Sequence, residues 1–142
     1  SWIGRDRLRV GPIKVFHGNS LSGQTCWLYE PYADRPDYYG VPPERDQDQL
    51  DRHLQEIHSA GFQLAVHSNG DREIDMVLSS IDNALTRDPR SDHRHRIEHA
   101  SIVNTPILRR ASGSSAGVTR TASWGGNPGV MISTASHRLI PS

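Results

Sequence analysis

The stretch Gly61–Asp75, GFQLAVHSNGDREID in one-letter code, predicts a strand, a turn and the start of a helix. Apolar residues alternate through its first half, which is typical of a β-strand with one apolar face. We expect Ser68 and Asp71 to form a capping box at the start of the helix. His67 would then end the strand on the face opposite the apolar set. Ligands bind at the carboxyl ends of parallel strands, so His67 is a candidate ligand or base, with a purely structural role as the alternative.

The flanking segments continue the alternation of strands and helices. Short strands are predicted at Gly11–His17 and within His93–Val103. Helices are predicted at about 46–60, at about 71–86, and after Asn104. This order indicates an α/β fold with a parallel sheet and right-handed crossovers.

The bulk composition gives no support to a nucleic-acid-binding or membrane protein. The 142 residues include 16 basic and 16 acidic side chains, so no net field draws the chain to a polyanion or a lipid surface. No apolar run approaches the ~20 residues that span a bilayer. The single cysteine, Cys26, excludes an internal disulfide and fits a reducing, cytoplasmic compartment. The chain starts at Ser1 without methionine, so a missing leader stays open. The sequence also leaves the oligomeric state open.

The composition changes near residue 112. Residues 112–142 are rich in Ser, Thr and Gly, contain no acidic residue and show no sustained period. We therefore expect one α/β unit over residues 1–111 and an irregular, low-complexity tail over 112–142. Two explanations stay open for the tail: an altered reading frame, or a naturally flexible segment.

Three polar residues occupy comparable places on the predicted strands: Lys14, His67 and His99. Two histidines on neighbouring strand ends can bind one divalent ion through their imidazole nitrogens. A lysine whose pKa is depressed by burial can take up carbon dioxide as a neutral amine, and the resulting carbamate is an anionic oxygen ligand. Buried histidines and surface lysines are common in proteins, so spacing alone leaves structural roles open.

Three segments carry a resemblance to a known family: GPIKVFHGNSLSG at 11–23, AVHSNGDR at 65–72 and DHRHRIEHA at 92–100. They resemble the amidohydrolase superfamily, in particular its amidohydrolase 3 branch, which includes N-substituted formamide deformylases. The resemblance covers about Val10–Arg110. It implies the middle of a (β/α)8 TIM-type barrel, with these strands as the fourth, fifth and sixth.

The resemblance also implies roles for individual residues. Lys14 matches the carboxylated lysine, and His67 and His99 match metal ligands on the fifth and sixth strands. The implied cofactor is one or two divalent ions, with Zn2+ expected. Asp71 could orient an imidazole, although capping its own helix is the alternative. Glu98 could act similarly or pair with an arginine.

The implied activity is metal-dependent hydrolysis of non-peptide carbon–nitrogen bonds in a small amide-type substrate. The family also uses a His-x-His pair on its first strand and a general-base Asp on its eighth, and neither lies in this chain. A whole barrel needs ~250 residues. We therefore expect an incomplete and inactive fragment without catalytic residues of its own. His17 is given no role, and His93-Arg94-His95 is predicted to be loop or surface.

Two alternatives compete with the hydrolase interpretation. The chain could be a non-catalytic barrel fragment that depends on a partner. The residues His95–His99 also fit the H-x-x-E-H pattern of inverted zinc peptidases. That pattern needs a helix, so that both histidines share one face, and a carboxylate ligand further along the chain. A helix at His95–His99 would favour the peptidase.

Overall fold

Strands and helices alternate along the chain, and the strands form one parallel sheet. The computed structural model describes residues 10–113 and 117–119. Within these residues the strands pair in the order β1-β2-β3-β4, all parallel. The elements are β1 Ile13–Phe16, α1 Gln47–Ser59, β2 Leu64–Ser68, α2 Asp71–Arg87, β3 Arg96–His99, α3 Thr105–Gly113 and β4 Gly117–Thr119. The predicted parallel α/β architecture is confirmed.

The register of the sheet separates an apolar face from a polar face. Val15, Val66 and Ile97 lie opposite one another on neighbouring strands and belong to the core that also contains residues of all three helices. Because side chains alternate along a strand, the adjacent rows point the other way. The rows on this second face are Lys14, Ala65 and Arg96, followed by Phe16, His67 and Glu98.

The first helix has the start, apolar stripe and end that its sequence predicts. Asp46 caps α1 in a capping box with Gln49, and Leu50 and Leu54 are fully buried against the sheet. Gly61 follows with a positive φ of 85°, a conformation that glycine adopts without steric cost. None of the helices in the described part of the chain is long and apolar enough to cross a bilayer.

The second helix starts differently from the prediction. The expected capping box of Ser68 and Asp71 is wrong, because β2 continues through Ser68 and the N-cap is Gly70. Glu73 instead accepts a hydrogen bond from the Gly70 amide at 3.1 Å. This bond is one half of a capping box, and glycine has no side chain to supply the other half.

Regular structure extends past the expected boundary at residue 112. Asn104 caps α3 as predicted, through a 3.0 Å hydrogen bond from the Ile107 amide to its side chain. The helix runs to Gly113, and Gly117–Thr119 pairs with β3. The remainder of the predicted tail lies outside the described residues.

Two buried histidines connect the elements at the amino ends of the strands. The Leu64 amide donates to His95 Nδ1 at 3.0 Å, so the proton of a neutral His95 lies on Nε2. That proton is donated to His58 Nδ1 at 2.8 Å, and His58 Nε2 donates to the Asp88 carbonyl at 2.7 Å. Every ring nitrogen of this histidine relay therefore has a partner.

The relay corrects the prediction that His93-Arg94-His95 would be loop or surface. The segment is a loop, but His93 is 4% and His95 1% exposed. His93 Nδ1 accepts the His95 amide, and Arg90 donates to His58 Nδ1 and to the Phe62 carbonyl. The spacing of these residues could not predict the buried role of His95, because its partners His58 and Leu64 lie on α1 and β2, far away in the chain.

The relay predicts a loss of stability in mild acid. Burial, aided by the charges of His93, His58 and Arg90, lowers the pKa of His95 from 6.5 to about 3. Between these values the unfolded chain binds a proton that the folded chain does not. Stability is therefore complete above pH 6.5 and falls by about 1.4 kcal/mol per pH unit below it from this residue. Urea unfolding between pH 8 and pH 5 measures this slope.

His95→Gln should reduce that slope by about one proton, which is about 1.4 kcal/mol per pH unit below pH 6. His53→Gln is the matched control, because His53 lies on α1 outside the relay and is half-buried. An unchanged slope in the His95 variant would contradict the prediction.

Candidate metal centre

The carboxyl ends of β1, β2 and β3 meet at one edge of the sheet, which we call the rim. His67 lies there, in register with Phe16 on one side and Glu98 on the other. The Phe16 and His67 rings stack with centroids 4.0 Å apart and an interplanar angle of 16°. Phe16 is 63% exposed, whereas His67 is only 8% exposed. The rim therefore holds the imidazole beneath an aromatic ring on the polar face of the sheet.

His99 lies beside His67 because its backbone leaves the strand conformation. The two rings meet edge to face, with centroids 4.5 Å apart. Regular alternation would send His99 to the face opposite Glu98, which is the apolar face. The φ of His99 is +77° and that of Ala100 is +44°, both in the region that non-glycine residues rarely adopt. Such strain costs of order 1–3 kcal/mol and is concentrated at functional sites.

One nitrogen of His67 is held in place and the other is not. Nε2 lies 3.2 Å from the Asn19 carbonyl and 3.1 Å from the Asn69 side-chain amide. Nδ1 is buried and has no hydrogen-bond partner among the described residues. Burial lowers the pKa of His67 below its usual 6.5. The hydrogen bond to the Asn19 carbonyl and the Glu98 charge oppose this effect, and the charges of His99 and Lys14 add to it. With the proton on Nε2 facing the carbonyl, the Nδ1 lone pair can accept a metal ion.

Lys14 is on the same face, and its amine is paired with the Glu98 carboxylate. Arg96 also donates to Glu98, from Nη2 at 3.0 Å. Burial raises the pKa of Glu98, but the hydrogen bonds and charges of Lys14 and Arg96 lower it by more. Glu98 thus has the arginine pairing that the sequence allowed, together with a lysine partner. Lys14, His67 and His99 share the rim, and the two imidazoles are in direct contact.

Asp71 joins three segments around the start of α2. Its Oδ1 accepts the Tyr29 amide at 3.0 Å and the Arg72 amide at 2.8 Å, and its Oδ2 accepts from the Asn104 side chain at 3.2 Å. These contacts tie the long loop before α1 to α2 and to the cap of α3.

Glu73 is the residue near the rim that the sequence reasoning missed. The side chain is fully buried and its carboxylate accepts four backbone amides. The donors are Asn19 at 3.1 Å, Trp27 at 2.6 Å, Asn69 at 3.1 Å and Gly70 at 3.1 Å. Burial raises the pKa of Glu73, and the four hydrogen bonds oppose that increase. The available signal was the spacing of Gly70 and Glu73, because an acidic residue three positions after an N-cap fits a capping box.

His17 is a second buried histidine near the rim. It is 2% exposed, and within the described part of the chain neither ring nitrogen has a hydrogen-bond partner. Burial, with a contribution from the Arg45 charge, lowers the pKa of His17 to about 4. His17 and Arg45 line a cavity of about 410 Å³ together with Phe16 and Asn19.

The rim supplies two imidazoles and an amine as potential ligands. Across residues 10–113 and 117–119, no group of three or more His, Cys, Asp or Glu side chains is arranged to hold a metal ion. The unpartnered His67 Nδ1 beside a second imidazole nevertheless fits a divalent ion, since imidazole nitrogen is a common ligand of such ions. The inverted zinc peptidase alternative is wrong, because Arg96–His99 is a strand and His95 belongs to the relay.

Gly18 should be intolerant of any side chain. Its φ is +96°, and a Cβ atom there would collide with the Glu73 carboxylate. We expect Gly18→Ala to lower the free energy of unfolding by roughly 2–4 kcal/mol, from backbone strain and from the loss of buried hydrogen bonds. Gly23→Ala is the control, because a Cβ at Gly23 approaches no atom closer than 3.6 Å. Equal urea midpoints for the two variants would contradict this expectation.

Comparisons with known proteins relate the chain to the amidohydrolase family. The model of the amidohydrolase family matches residues 3–139. The putative amidohydrolase YtcJ of Bacillus subtilis is 34% identical over 106 residues, which are 74% of this chain and 19% of YtcJ. The protein LONG AFTER FAR-RED 3 of Arabidopsis thaliana is 33% identical over 93 residues, which are 66% of this chain and 16% of that protein.

Two solved structures are also similar, both described as uncharacterized metal-dependent hydrolases. The one from Pyrococcus furiosus has a TM-score of 0.64 and 31% identity, covering 78% of this chain and 22% of that one. The one from Pyrococcus horikoshii OT3 has a TM-score of 0.70 and 27% identity, covering 83% of this chain and 23% of that one. This chain thus spans about a fifth of the length of these relatives. Because the family model matches residues 3–139 and YtcJ is 34% identical over 74% of this chain, the chain belongs to the amidohydrolase family.

Proposed function

We propose that this chain contributes part of the metal centre of a hydrolase acting on non-peptide carbon–nitrogen bonds. The observation that carries the proposal is the buried His67 Nδ1, which has no partner in the described structure and lies beside the His99 ring. An unpaired buried polar atom costs about 1–3 kcal/mol, so a ligand that satisfies it is a physical reason for its presence. The strained His99 backbone adds support, because it gives up local stability to bring the second imidazole near.

The proposed architecture is the middle of a (β/α)8 TIM-type barrel. Its support is the run of parallel strands in sequential order, with helices between them and an apolar core between the helices and one face of the sheet. In a barrel the polar face, with Lys14, Phe16 and His67, would line the interior. The rim would then be the carboxyl-terminal mouth, where such enzymes place their active sites.

His67 and His99 would hold the metal, and Zn2+ is the ion we propose. When bound, a divalent ion of this kind supplies Lewis acidity toward an amide carbonyl and a water-derived nucleophile at neutral pH. His67 contributes through its protonation state, because Nε2 faces the Asn19 carbonyl and leaves Nδ1 as the lone-pair donor. Phe16, stacked on the imidazole, shields it from water and limits the rotation of its ring.

Lys14 has two possible states at this centre, and we propose that it changes from one to the other. In the ammonium state it pairs with Glu98. Loss of a proton and addition of the neutral amine to carbon dioxide would release a second proton and form a carbamate, an anionic oxygen ligand. The carbamate would repel Glu98, whose other oxygen is already held by Arg96. Arg96 can therefore retain Glu98 when Lys14 leaves it.

We propose that hydrolysis requires residues beyond those that this chain offers at the rim. The rim offers two imidazoles and one amine. In this proposal, another part of the protein supplies the general-base carboxylate that the family resemblance implies. A small amide-type molecule is the proposed substrate, with no nucleic-acid partner, and a cytoplasmic location fits the lone, buried Cys26 thiol. The alternative is a non-catalytic, partner-dependent barrel fragment, and it is favoured if the chain binds no metal.

Metal binding tests the proposal directly. Titration of the 142-residue chain with Co2+ should give a saturable visible absorption with imidazole ligands. Loss of a residue that merely orients a ligand costs ~10–100-fold in metal affinity, so loss of a ligand itself should cost at least ~100-fold. We expect this loss in His67→Ala and in His99→Ala.

His53→Ala controls for the removal of a histidine away from the rim. If both rim variants bound Co2+ as tightly as the wild type, the metal centre would be excluded. Turnover of N-formyl or N-acetyl amides by the isolated chain would separately exclude the proposal that further residues are required.

A further inference from the structure

Glu73 connects three segments from two loops that are distant in the sequence. Its Oε1 accepts the amides of Asn19, after β1, and of Trp27, in the long loop that follows. Its Oε2 accepts the amides of Asn69 and Gly70, in the turn between β2 and α2. The loops that form the rim at β1 and β2 are thus attached to a single carboxylate group.

Two of these residues also hold the Nε2 edge of His67. The Asn19 carbonyl is 3.2 Å from Nε2, and the Asn69 side-chain amide is 3.1 Å from it. Asn69 Nδ2 also donates to the Asn19 carbonyl at 2.8 Å, and Ser101 donates to Asn69 Oδ1 at 2.7 Å. Both groups that face Nε2 therefore belong to residues whose own backbone amides are bound to Glu73.

From this geometry we propose that Glu73 is a positioning residue for the metal-binding nitrogen of His67. It acts through the Asn19 carbonyl, which accepts the proton of His67 Nε2 and leaves Nδ1 as the lone pair. Asn69 contributes by donating its side-chain amide to the same carbonyl, which holds that acceptor in place. The inference rests on the proposed function, in which His67 is a ligand. Glu73 does not touch the imidazole, and its effect is to select the tautomer and orientation of the ring.

A carboxylate is the side chain that this position requires. Four amide donors converge on it, and an ionised carboxylate offers about four acceptor sites and no donor. A glutamine would turn an NH2 group toward two of those amides and lose their hydrogen bonds. The first turn of α2 also favours an anion, since the positive end of the helix dipole lies there. These contacts offset part of the cost of burying a charge at this position.

A purely structural role for Glu73 would predict lower stability without a change in His67. Asp51 provides the matched control for this distinction. Its carboxylate accepts side-chain hydrogen bonds from Gln47, Ser80 and Asn83 between α1 and α2, away from the rim. Asp51→Asn should therefore weaken the fold by a comparable mechanism and leave the rim unchanged.

The experiment compares Glu73→Gln, Asp51→Asn and wild type in the full 142-residue chain without metal. The readout is the pair of 15N chemical shifts of the His67 ring, which report the tautomer. We expect wild type and Asp51→Asn to show the Nε2–H tautomer, and Glu73→Gln to show a mixture. Titration with Co2+ should then give ~10-fold weaker binding for Glu73→Gln alone, in the range found for residues that orient ligands.

Wild-type His67 shifts in Glu73→Gln, or equal changes in Asp51→Asn, would overturn the inference. If Glu73→Gln does not fold, Gly18→Ala displaces the same carboxylate without removing it, with Gly23→Ala as its control. An unchanged His67 signal in Gly18→Ala would then overturn it. If wild type binds no Co2+, the proposed metal centre fails, whereas the ring shifts of metal-free protein still decide the role of Glu73.

Discussion

The parallel pairing of β2 with a neighbour on each side is the constraint from which the other features follow. Because side chains alternate along each strand, one register places Val15, Val66 and Ile97 toward the helices. The same register places His67 on the other face, between Phe16 and Glu98. A slip of one residue would exchange the two faces, burying charge against the helices and exposing the core residues. The apolar core and the polar rim are therefore consequences of one hydrogen-bonding pattern.

The two ends of the sheet use histidine in opposite ways. At the amino end, both ring nitrogens of His95 and of His58 have hydrogen-bond partners, so these residues link α1, β2 and the end of α2. At the carboxyl end, His67 Nδ1 lacks a partner in the part of the chain that the structure describes. Burial alone does not distinguish a structural histidine from a functional one, since all three are buried. For these three histidines, the distinction lies in whether each ring nitrogen is satisfied. His17, also buried near the rim, has neither ring nitrogen satisfied within the described residues.

Membership of the amidohydrolase family and the geometry of the rim support each other, although they are independent. The relatives are several times longer than this chain, and the matched solved structures are described as metal-dependent hydrolases. Within the matched part, the residues that hold the loops of the rim in place are buried and hydrogen-bonded. A rigid frame around the unsatisfied Nδ1 of His67 is the arrangement expected when a ligand has to be positioned accurately.

The local sequence was sufficient to determine the order of strands and helices, the parallel sheet, and the starts of α1 and α3. These depend on periodicity and on capping residues within a few positions, as with Asp46 and Asn104. It also placed Lys14, His67 and His99 at comparable positions on three strands, and the family resemblance added their proposed roles. The tertiary structure decided which side chains satisfy one another. The roles of Glu73 and of His95, and the turn of His99 toward His67, depend on backbone groups and rings that are far apart in the chain. No local pattern can specify them, because hydrogen-bond satisfaction and a positive φ are properties of the folded environment.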